Sequence, residues 1–417
     1  MATLYRHLTL AENGIWIFYQ ALITFIDTFR TGFLTTAFVK FVAGATKQRA
    51  EEVIGSSWYV ASVITAVIIL ANIPALFFLS YIKDGGLLFF VKFVSVYLLF
   101  SLPFLNAVCI AQGQMRFDRI LYIKTLQQIF FFIAIIFLIV FKKLTITTVV
   151  YSNLAAILLL SLIILYAGWS EIKMISKRTR SCVKEIAHFG KFSVGTSLSS
   201  SLFRVTDTAL INFMIGPGTL AIYSLGQRLM EIVEIPLRSF VATAMPSMSK
   251  AYNENKKAEV INIMKKYIGM LTVALVPVLI LSLFVADFAI GIIGGQKYLG
   301  TEASNVYRIF MVFALLYPAD RFIAITLDVI HKPQINFIKV LLMVVINLVS
   351  DVALLYAFGN IYGIAVATVF PIAFAVLFGY YHLQKNYMTF RFWEMYSLGA
   401  DELKLLIKKS FGRNIKI

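Results

Sequence analysis

Long apolar runs, separated by short polar or basic stretches, recur along the whole chain. A helix needs roughly 20 apolar residues to cross about 30 Å of hydrocarbon, and these runs have that length. Membrane β-strands would be about half as long and would alternate polar with apolar residues. The pattern predicts an all-α polytopic membrane protein with about 11 transmembrane helices. The predicted spans are 14–38, 56–82, 86–111, 121–141, 147–168, 192–214, 219–242, 266–293, 305–329, 335–357 and 361–384.

Composition agrees with this pattern. Hydrophobic residues make up 60% of the 417, charged residues only 14%, and the mean hydropathy is +0.83. A soluble domain of this size has too little interior to bury so much apolar surface. The composition therefore excludes a soluble globular protein.

The net charge of +17 is unevenly distributed. With the C-terminal tail in the cytoplasm, 26 of the 38 Lys and Arg residues lie in or beside cytoplasmic segments. This is the positive-inside asymmetry, so the charge sets orientation and contacts anionic lipid heads rather than nucleic acid. Eleven spans then place residue 1 outside and the tail inside. The basic segments are 40–49, 116–124, 173–191, 250–266, 332–339 and 385 onward.

The chain shows no pattern typical of a metal site, a cofactor site or an ATPase. Its two cysteines, Cys109 and Cys182, are too few for a disulfide framework, and the four histidines are scattered. No Gly-rich phosphate loop with a Walker lysine is present. We therefore expect neither a metal nor a cofactor.

A weak internal repeat relates the two halves of the chain. At an offset of 207 residues, Gln20 meets Gln227 and Asp27 meets Glu234, within apolar segments that both end on the basic side. Two halves in the same orientation predict two pseudo-symmetric lobes. The predicted division is an N-lobe of five spans over 1–169, a basic cytoplasmic loop over 170–191, a C-lobe of six spans over 192–384 and a basic tail over 385–417. In the C-lobe the span 192–214 precedes the segment that matches the first span. By this comparison the N-lobe lacks the corresponding helix.

Charged residues inside the spans form the candidate site. Asp27 and Arg30 are spaced i, i+3, as are Arg204 and Asp207. A longer set, Arg228, Glu231, Glu234 and Arg238, follows steps of three, three and four and occupies one third of a helix surface. Asp320 and Arg321 share a later span.

Two interpretations of these charges stay open from the sequence alone. A charge at the bilayer centre costs roughly 2.5–3.5 kcal/mol on insertion scales, so such groups face either the protein interior or water. The first interpretation is structural ion pairs that hold helices together. The second is a water-filled cavity that binds a charged substrate.

The segment from Phe189 to Tyr252 resembles the Wzx-type polysaccharide flippases. In that family an aspartate-bearing helix is followed by a short Gly turn and then by a Tyr, an Arg and two prolines. Here those elements are Asp207, Gly216-Pro217-Gly218, Tyr223, Arg228, Pro236 and Pro246.

The resemblance implies a fold similar to that of the multidrug and oligosaccharidyl-lipid exporters, with two helical bundles that open alternately. It implies a flippase, not an enzyme, that moves undecaprenyl-pyrophosphate-linked oligosaccharide across a bacterial inner membrane for O-antigen, capsule or exopolysaccharide assembly. It also implies a polysaccharide polymerase as a partner, beside the lipid-linked substrate and the membrane lipids.

Such a cargo fits the charges. Arg offers a planar donor fork for phosphate oxygens, and an acid beside it orients the fork or exchanges protons. The predicted substrate ligands are Arg30, Arg204, Arg228, Arg238 and Arg321. The predicted orienting or coupling acids are Asp27, Asp207, Glu231, Glu234 and Asp320, with H⁺ or Na⁺ as the coupling ion.

Three rival functions remain at this point, and one of them is a scaffold without transport. A multidrug cation antiporter of the same superfamily would use acids in the N-lobe, where Asp27 stands. A membrane polysaccharide polymerase or ligase would need a sizeable outer loop with catalytic groups, whereas the outer loops are short.

Overall fold

The computed structural model describes residues 1–42, 45–396 and 399, without the side chains of residues 192, 193, 196, 200 and 204. Within these residues the chain is helical and contains no strand, which confirms the all-α prediction. The predicted tail from residue 401 lies outside the described residues. The helices are α1 (Ala2–His7), α2 (Leu10–Val42), α3 (Lys47–Phe77), α4 (Gly85–Phe100), α5 (Leu102–Gly113), α6 (Phe117–Val140), α7 (Ile146–Tyr166), α8 (Arg180–Leu210), α9 (Pro217–Asn253), α10 (Lys257–Gly294), α11 (Ala303–Phe313), α12 (Tyr317–Val329), α13 (Pro333–Phe358), α14 (Ile361–Ala367) and α15 (Val369–Asn386).

Every predicted span coincides with helix. Among the described residues, eight spans are long and apolar enough to cross a membrane, and α4 with α5 forms a ninth that is bent by 52°. Two of the eight consist of consecutive helices, α11 with α12 and α14 with α15. The other two predicted spans, α8 and α9, are helices of sufficient length that carry more polar and charged residues.

Side-chain caps mark where several spans begin. Asp84 accepts a hydrogen bond from the Leu87 amide at 2.7 Å, and Thr145 forms a reciprocal capping box with Thr148. Thr179 caps α8 by accepting from the Cys182 amide. The first backbone N–H groups of a helix have no acceptor within that helix. The side-chain oxygens of these capping residues accept hydrogen bonds from them, which apolar neighbours cannot do.

The described chain divides into two compact units, His7–Leu220 and Met1–Arg6 with residues from Ala221 onward. The helix α8, which the sequence assigns to the C-lobe, lies in the first unit by its contacts with α2 and α3. Compactness does not decide where a repeat begins, so the predicted boundary at 170–191 stays a prediction.

The helix α2 is the centre of the first unit. It packs against α3, α4, α5 and α8. Two glycines allow α2 and α8 to approach closely. A Cβ on Gly32 would lie 2.7 Å from the Cβ of Ser197, and one on Gly190 would lie 2.5 Å from the Phe33 carbonyl oxygen. Small residues at such crossings are the usual means of helix association in membranes.

The second unit includes residues that follow the last span. Phe390 and Met395 are buried in a core with residues of α9, α10, α12 and α15. Lys265 of α10 donates to the carboxylate of Glu394 at 2.6 Å, and its ammonium lies 5.1 Å from the centre of the Phe390 ring. The start of the predicted cytoplasmic tail is therefore folded against the second unit.

This ion pair predicts a pH dependence. The hydrogen bond from Lys265 lowers the pKa of the Glu394 carboxyl below its usual value of 4.5. A lowered pKa means that the pair stabilises the folded protein above about pH 4.5 and that this contribution is lost as pH falls through the folded value. We expect Glu394→Gln to unfold at a lower temperature than wild type at pH 7, with the difference becoming smaller as pH falls below 4.5. An equal difference at pH 7 and below pH 4.5 would contradict the role of the pair.

Candidate functional site

A polar face runs along α2 in the first unit. Gln20, Thr24, Asp27 and Thr31 follow one another at helical spacing, and both threonine hydroxyls donate to carbonyls one turn earlier on the same helix. Asp27 is half-buried, and both of its carboxylate oxygens accept hydrogen bonds. One accepts from Arg30 and the other from the hydroxyl of Tyr97, at 2.6 Å. The spacing of Asp27 and Arg30 thus forms the ion pair that the sequence allows.

Arg30 points into the first unit, away from solvent. Its side chain is 1% exposed. One terminal nitrogen donates to the Leu98 carbonyl at 3.2 Å and to Thr65 at 3.4 Å, while the other donates to Asp27 and to Ser101 at 2.7 Å. All four terminal N–H groups have acceptors within the protein. In this structure Arg30 presents no face to a ligand.

The charged stripe of the second unit lies on α9 and is exposed. Arg228 is 3.6 Å from Glu231, and Arg238 donates to Glu234 at 2.5 Å. The exposed fraction is 62% for Glu231 and 69% for Arg238, whereas Arg228 and Glu234 are partly buried, at 38% and 27%. Both are pairs between neighbours on one helix, and Arg228 also interacts with the side chain of Tyr5, a buried residue of α1.

The exposure of these charged side chains bears on whether the stripe faces lipid or water. Four charges turned toward lipid would cost on the order of 10 kcal/mol by insertion scales, since each costs roughly 2.5–3.5 kcal/mol. The opposite side of α9 carries the buried apolar residues Leu229, Val233 and Leu237. The exposed side also carries Ile232 and Ile235, each 63% exposed, so α9 has one side in a hydrophobic core and an outer side that is part charged and part apolar.

Asp320 and Arg321 point in different directions. Asp320 accepts a hydrogen bond from Lys339 of α13 at 2.7 Å, and the lysine is only 2% exposed. Arg321 is exposed and forms no ion pair within the described part of the chain. Asp320 therefore belongs to a buried ion pair, whereas Arg321 is accessible at the surface.

The remaining predicted pair lies on α8. Asp207 is buried. The side chain of Arg204 lies outside the described residues, so its role as a ligand stays a prediction. No group of three or more His, Cys, Asp or Glu residues is arranged as a metal site among the residues that the structure describes.

Sequence reasoning missed two partners of the charged groups. Lys339 belongs to the predicted basic segment 332–339, and the structure places it in the second turn of α13, buried against Asp320. Tyr97, which donates to Asp27, had no signal beyond its place in an apolar run. For Lys339 a signal existed, because Asp320 within a span needs a basic partner.

The sequence comparisons decide the family. A model described as polysaccharide biosynthesis protein matches residues 3–303, well over half of the chain. The chain belongs to this family. The chain is also 24% identical, over 379 residues, to a probable low-salt glycan biosynthesis flippase, Agl15, of Haloferax volcanii. That match covers 89% of this chain and 76% of the relative.

Solved structures with the same fold include flippases and exporters. The lipid II flippase MurJ in an inward closed conformation matches with a TM-score of 0.73 and 14% identity, covering 99% of this chain and 89% of MurJ. An inward-facing multidrug resistance transporter of the MATE family and MOP superfamily matches with a TM-score of 0.71 and 16% identity, covering 98% and 96%. These likenesses confirm the predicted fold, and the family match confirms the resemblance to polysaccharide flippases.

Proposed function

We propose that this polysaccharide biosynthesis protein is a flippase that moves a lipid-linked oligosaccharide across the membrane by alternating access. The finer prediction is an undecaprenyl-pyrophosphate carrier in a bacterial inner membrane, serving O-antigen, capsule or exopolysaccharide assembly. The family match and the similarity to a probable glycan biosynthesis flippase support the reaction. The charges on α9 and α12 support an anionic headgroup.

The observation that carries the proposal is the exposed stripe on α9. Arg228 and Arg238 present guanidinium groups on a surface that the cost of lipid exposure requires to be wet. A guanidinium donates two parallel hydrogen bonds to phosphate oxygens, with charge assistance. Arg321 adds a third exposed guanidinium in the same unit. Arg204 is the fourth proposed ligand.

The same stripe disfavours a multidrug cation antiporter. The four charges of the stripe sum to zero, so the preference for an anion comes from the guanidinium donors of Arg228 and Arg238 and from Arg321, which has no ion pair among the described residues. A polymerase or ligase is disfavoured because the relatives with the same fold are flippases and transporters.

The acids of the stripe are proposed to orient the arginines and to exchange protons with a coupling gradient. Glu231 and Glu234 are within reach of Arg228 and Arg238, and Asp27 is their counterpart on α2. H⁺ or Na⁺ is the proposed coupling ion, and a polysaccharide polymerase that takes up the flipped substrate is the proposed partner. Asp207 and Asp320 are proposed to orient neighbouring groups.

Glutamine at Glu231 and Glu234 is expected to leave folding intact and to alter transport. Exposed ion pairs contribute about 0–1 kcal/mol, so neither variant should lower the melting temperature by more than a few degrees. The rate of flipping under an imposed pH gradient should lose its dependence on that gradient. Stable variants that flip at the wild-type rate, with unchanged gradient dependence, would remove both acids from a coupling role.

A complementation experiment tests the function in cells. The chain is expressed in a bacterium that lacks its polysaccharide flippase, with protein level and membrane insertion measured by immunoblot. Restored surface polysaccharide of the host type is the expected result. Normal insertion with accumulation of lipid-linked repeat units in the inner leaflet would contradict the proposal for that class of repeat unit.

A further inference from the structure

The third predicted span of the first unit is broken. It was predicted as one run over 86–111, and the structure divides it at Ser101 into α4 and α5, bent by 52°. Pro103 is the second residue of α5. Proline lacks the amide hydrogen that would continue the helical ladder, and its ring crowds the preceding turn. A break there leaves backbone carbonyls that need other donors in a membrane.

Side chains from two other helices supply those donors. Arg30 of α2 donates to the Leu98 carbonyl at 3.2 Å and to the Ser101 hydroxyl at 2.7 Å. Ser161 of α7 donates to the Phe100 carbonyl at 2.5 Å. Arg30 therefore contacts both the last turn of α4 and the residue at the break.

The second unit provides an internal comparison. Its span of α11 and α12 is also interrupted, at Ala314–Leu316, and Pro318 is likewise the second residue of α12. That span nevertheless continues as a single membrane-crossing unit over Ala303–Val329. At the repeat offset of 207, the residue that corresponds to Arg30 is Leu237, which is buried in the apolar core. A proline at the second position of a helix therefore does not by itself produce so large a bend. At the same offset Ser101 corresponds to Arg308 inside α11, so the two interruptions are not at equivalent positions.

We propose that Arg30 is a positioning residue that holds the bend between α4 and α5, and that it is not a ligand of the substrate. Asp27 fixes the guanidinium from one side, and Tyr97 of α4 fixes Asp27 in turn. Thr65 of α3 completes the set of contacts. These groups form a hinge clasp, defined as Asp27, Arg30, Thr65, Tyr97 and Ser101.

The connection to transport rests on the proposed function. Hinges in transporters are a few residues that absorb a change in backbone angle between rigid segments. The clasp joins the polar face of α2, through Asp27, to the one strongly bent span among the described spans. The contacts of the clasp therefore set the angle between the outer arm, α4, and the inner arm, α5, during translocation.

The size of the expected change follows from geometry. The arms have 16 and 12 residues, or about 24 and 18 Å at 1.5 Å per residue. Straightening a bend of 52° would lengthen the end-to-end distance by about 4 Å. Pulsed electron paramagnetic resonance between two spin labels resolves such a shift.

The test places labels at Lys83→Cys and Gln114→Cys, exposed residues that flank the broken span; the native cysteines are buried. In Arg30→Met the mean distance is expected to increase by about 4 Å or to broaden toward that value. Arg30→Lys, which keeps the charge and loses the fork, is expected to give a mixture. Asp27→Asn with Arg30→Met removes both charges together and keeps the test available if the single variant fails to fold.

Arg308→Met is the matched control. Arg308 also donates to a carbonyl, that of Leu283 at 3.0 Å, and pairs with Asp287 at 2.7 Å, but it belongs to the second unit. It should leave the labelled distance unchanged. A stable double variant with the wild-type distance would overturn the clasp, whether or not the protein flips any lipid. A shifted distance with a wild-type rate of flipping would overturn its role in translocation.

Discussion

Alanine at Arg228 or Arg238 is expected to lower the flipping rate by about 10-fold or more and to leave the protein level unchanged. A charge-assisted hydrogen bond contributes roughly 1.5–3 kcal/mol, and 1.4 kcal/mol is a factor of ten. Each of the ion pairs that these residues make with Glu231 and Glu234 has one largely exposed member, so its loss costs about 0–1 kcal/mol of stability. The measurement is transport of a fluorescent undecaprenyl-pyrophosphate-linked oligosaccharide in proteoliposomes.

Two further variants sharpen this prediction. Arg228→Lys keeps the positive charge and loses the planar fork, so it should restore part of the rate. Arg308→Ala removes an arginine of the same unit that pairs with Asp287, and it should flip at the wild-type rate. Wild-type rates in both Arg228→Ala and Arg238→Ala would mean that the stripe does not bind the substrate.

Methionine at Lys339 is expected to destabilise the protein severely. The Lys339 side chain is 2% exposed, and its ammonium donates to Asp320 at 2.7 Å. Removal of one partner of a buried pair costs about 3–5 kcal/mol, because the other charge is left buried and alone. That cost lowers the ratio of folded to unfolded protein at least about 100-fold. The expected result is a sharp loss of thermal stability in nanodiscs, with an equal loss in Asp320→Asn.

The double variant separates pairing from packing. Asp320→Asn with Lys339→Met removes both charges and leaves no buried ion, so it should recover most of the lost stability. Arg321→Met, at the neighbouring but exposed position, should have little effect on stability. Additive losses in the double variant would show that the two side chains act independently.

The sequence predicted the helices because the apolar runs are long and their ends carry caps and basic loops. It predicted α9 as a span despite four charges, because their spacing leaves the other helix face apolar. The bend at Ser101 was not predicted. Pro103 marks a place where a helix can bend, but the side chain that contacts the break, Arg30, is 71 residues away from Ser101 in the chain.

The site was predicted in part for a similar reason. Asp27 with Arg30 and Glu234 with Arg238 are pairs within one helix, which spacing alone reveals. The partner of Asp320 lies on another helix, and only the packing of α12 against α13 brings Lys339 to it. The spacing of charged residues in the sequence also does not show that Arg30 is buried and Arg238 is exposed.

The most direct test of the central claim uses purified protein and defined lipid. Proteoliposomes with and without the protein receive the undecaprenyl-pyrophosphate-linked oligosaccharide in both leaflets, and a membrane-impermeant enzyme modifies the sugar in the outer leaflet only. The expected result is modification of about half of the substrate without protein and of nearly all of it with protein, at a rate that Arg228→Ala with Arg238→Ala abolishes. Modification that stays near half in the presence of correctly folded wild-type protein, under an imposed H⁺ gradient and under an imposed Na⁺ gradient, would contradict the assignment as a flippase for this substrate.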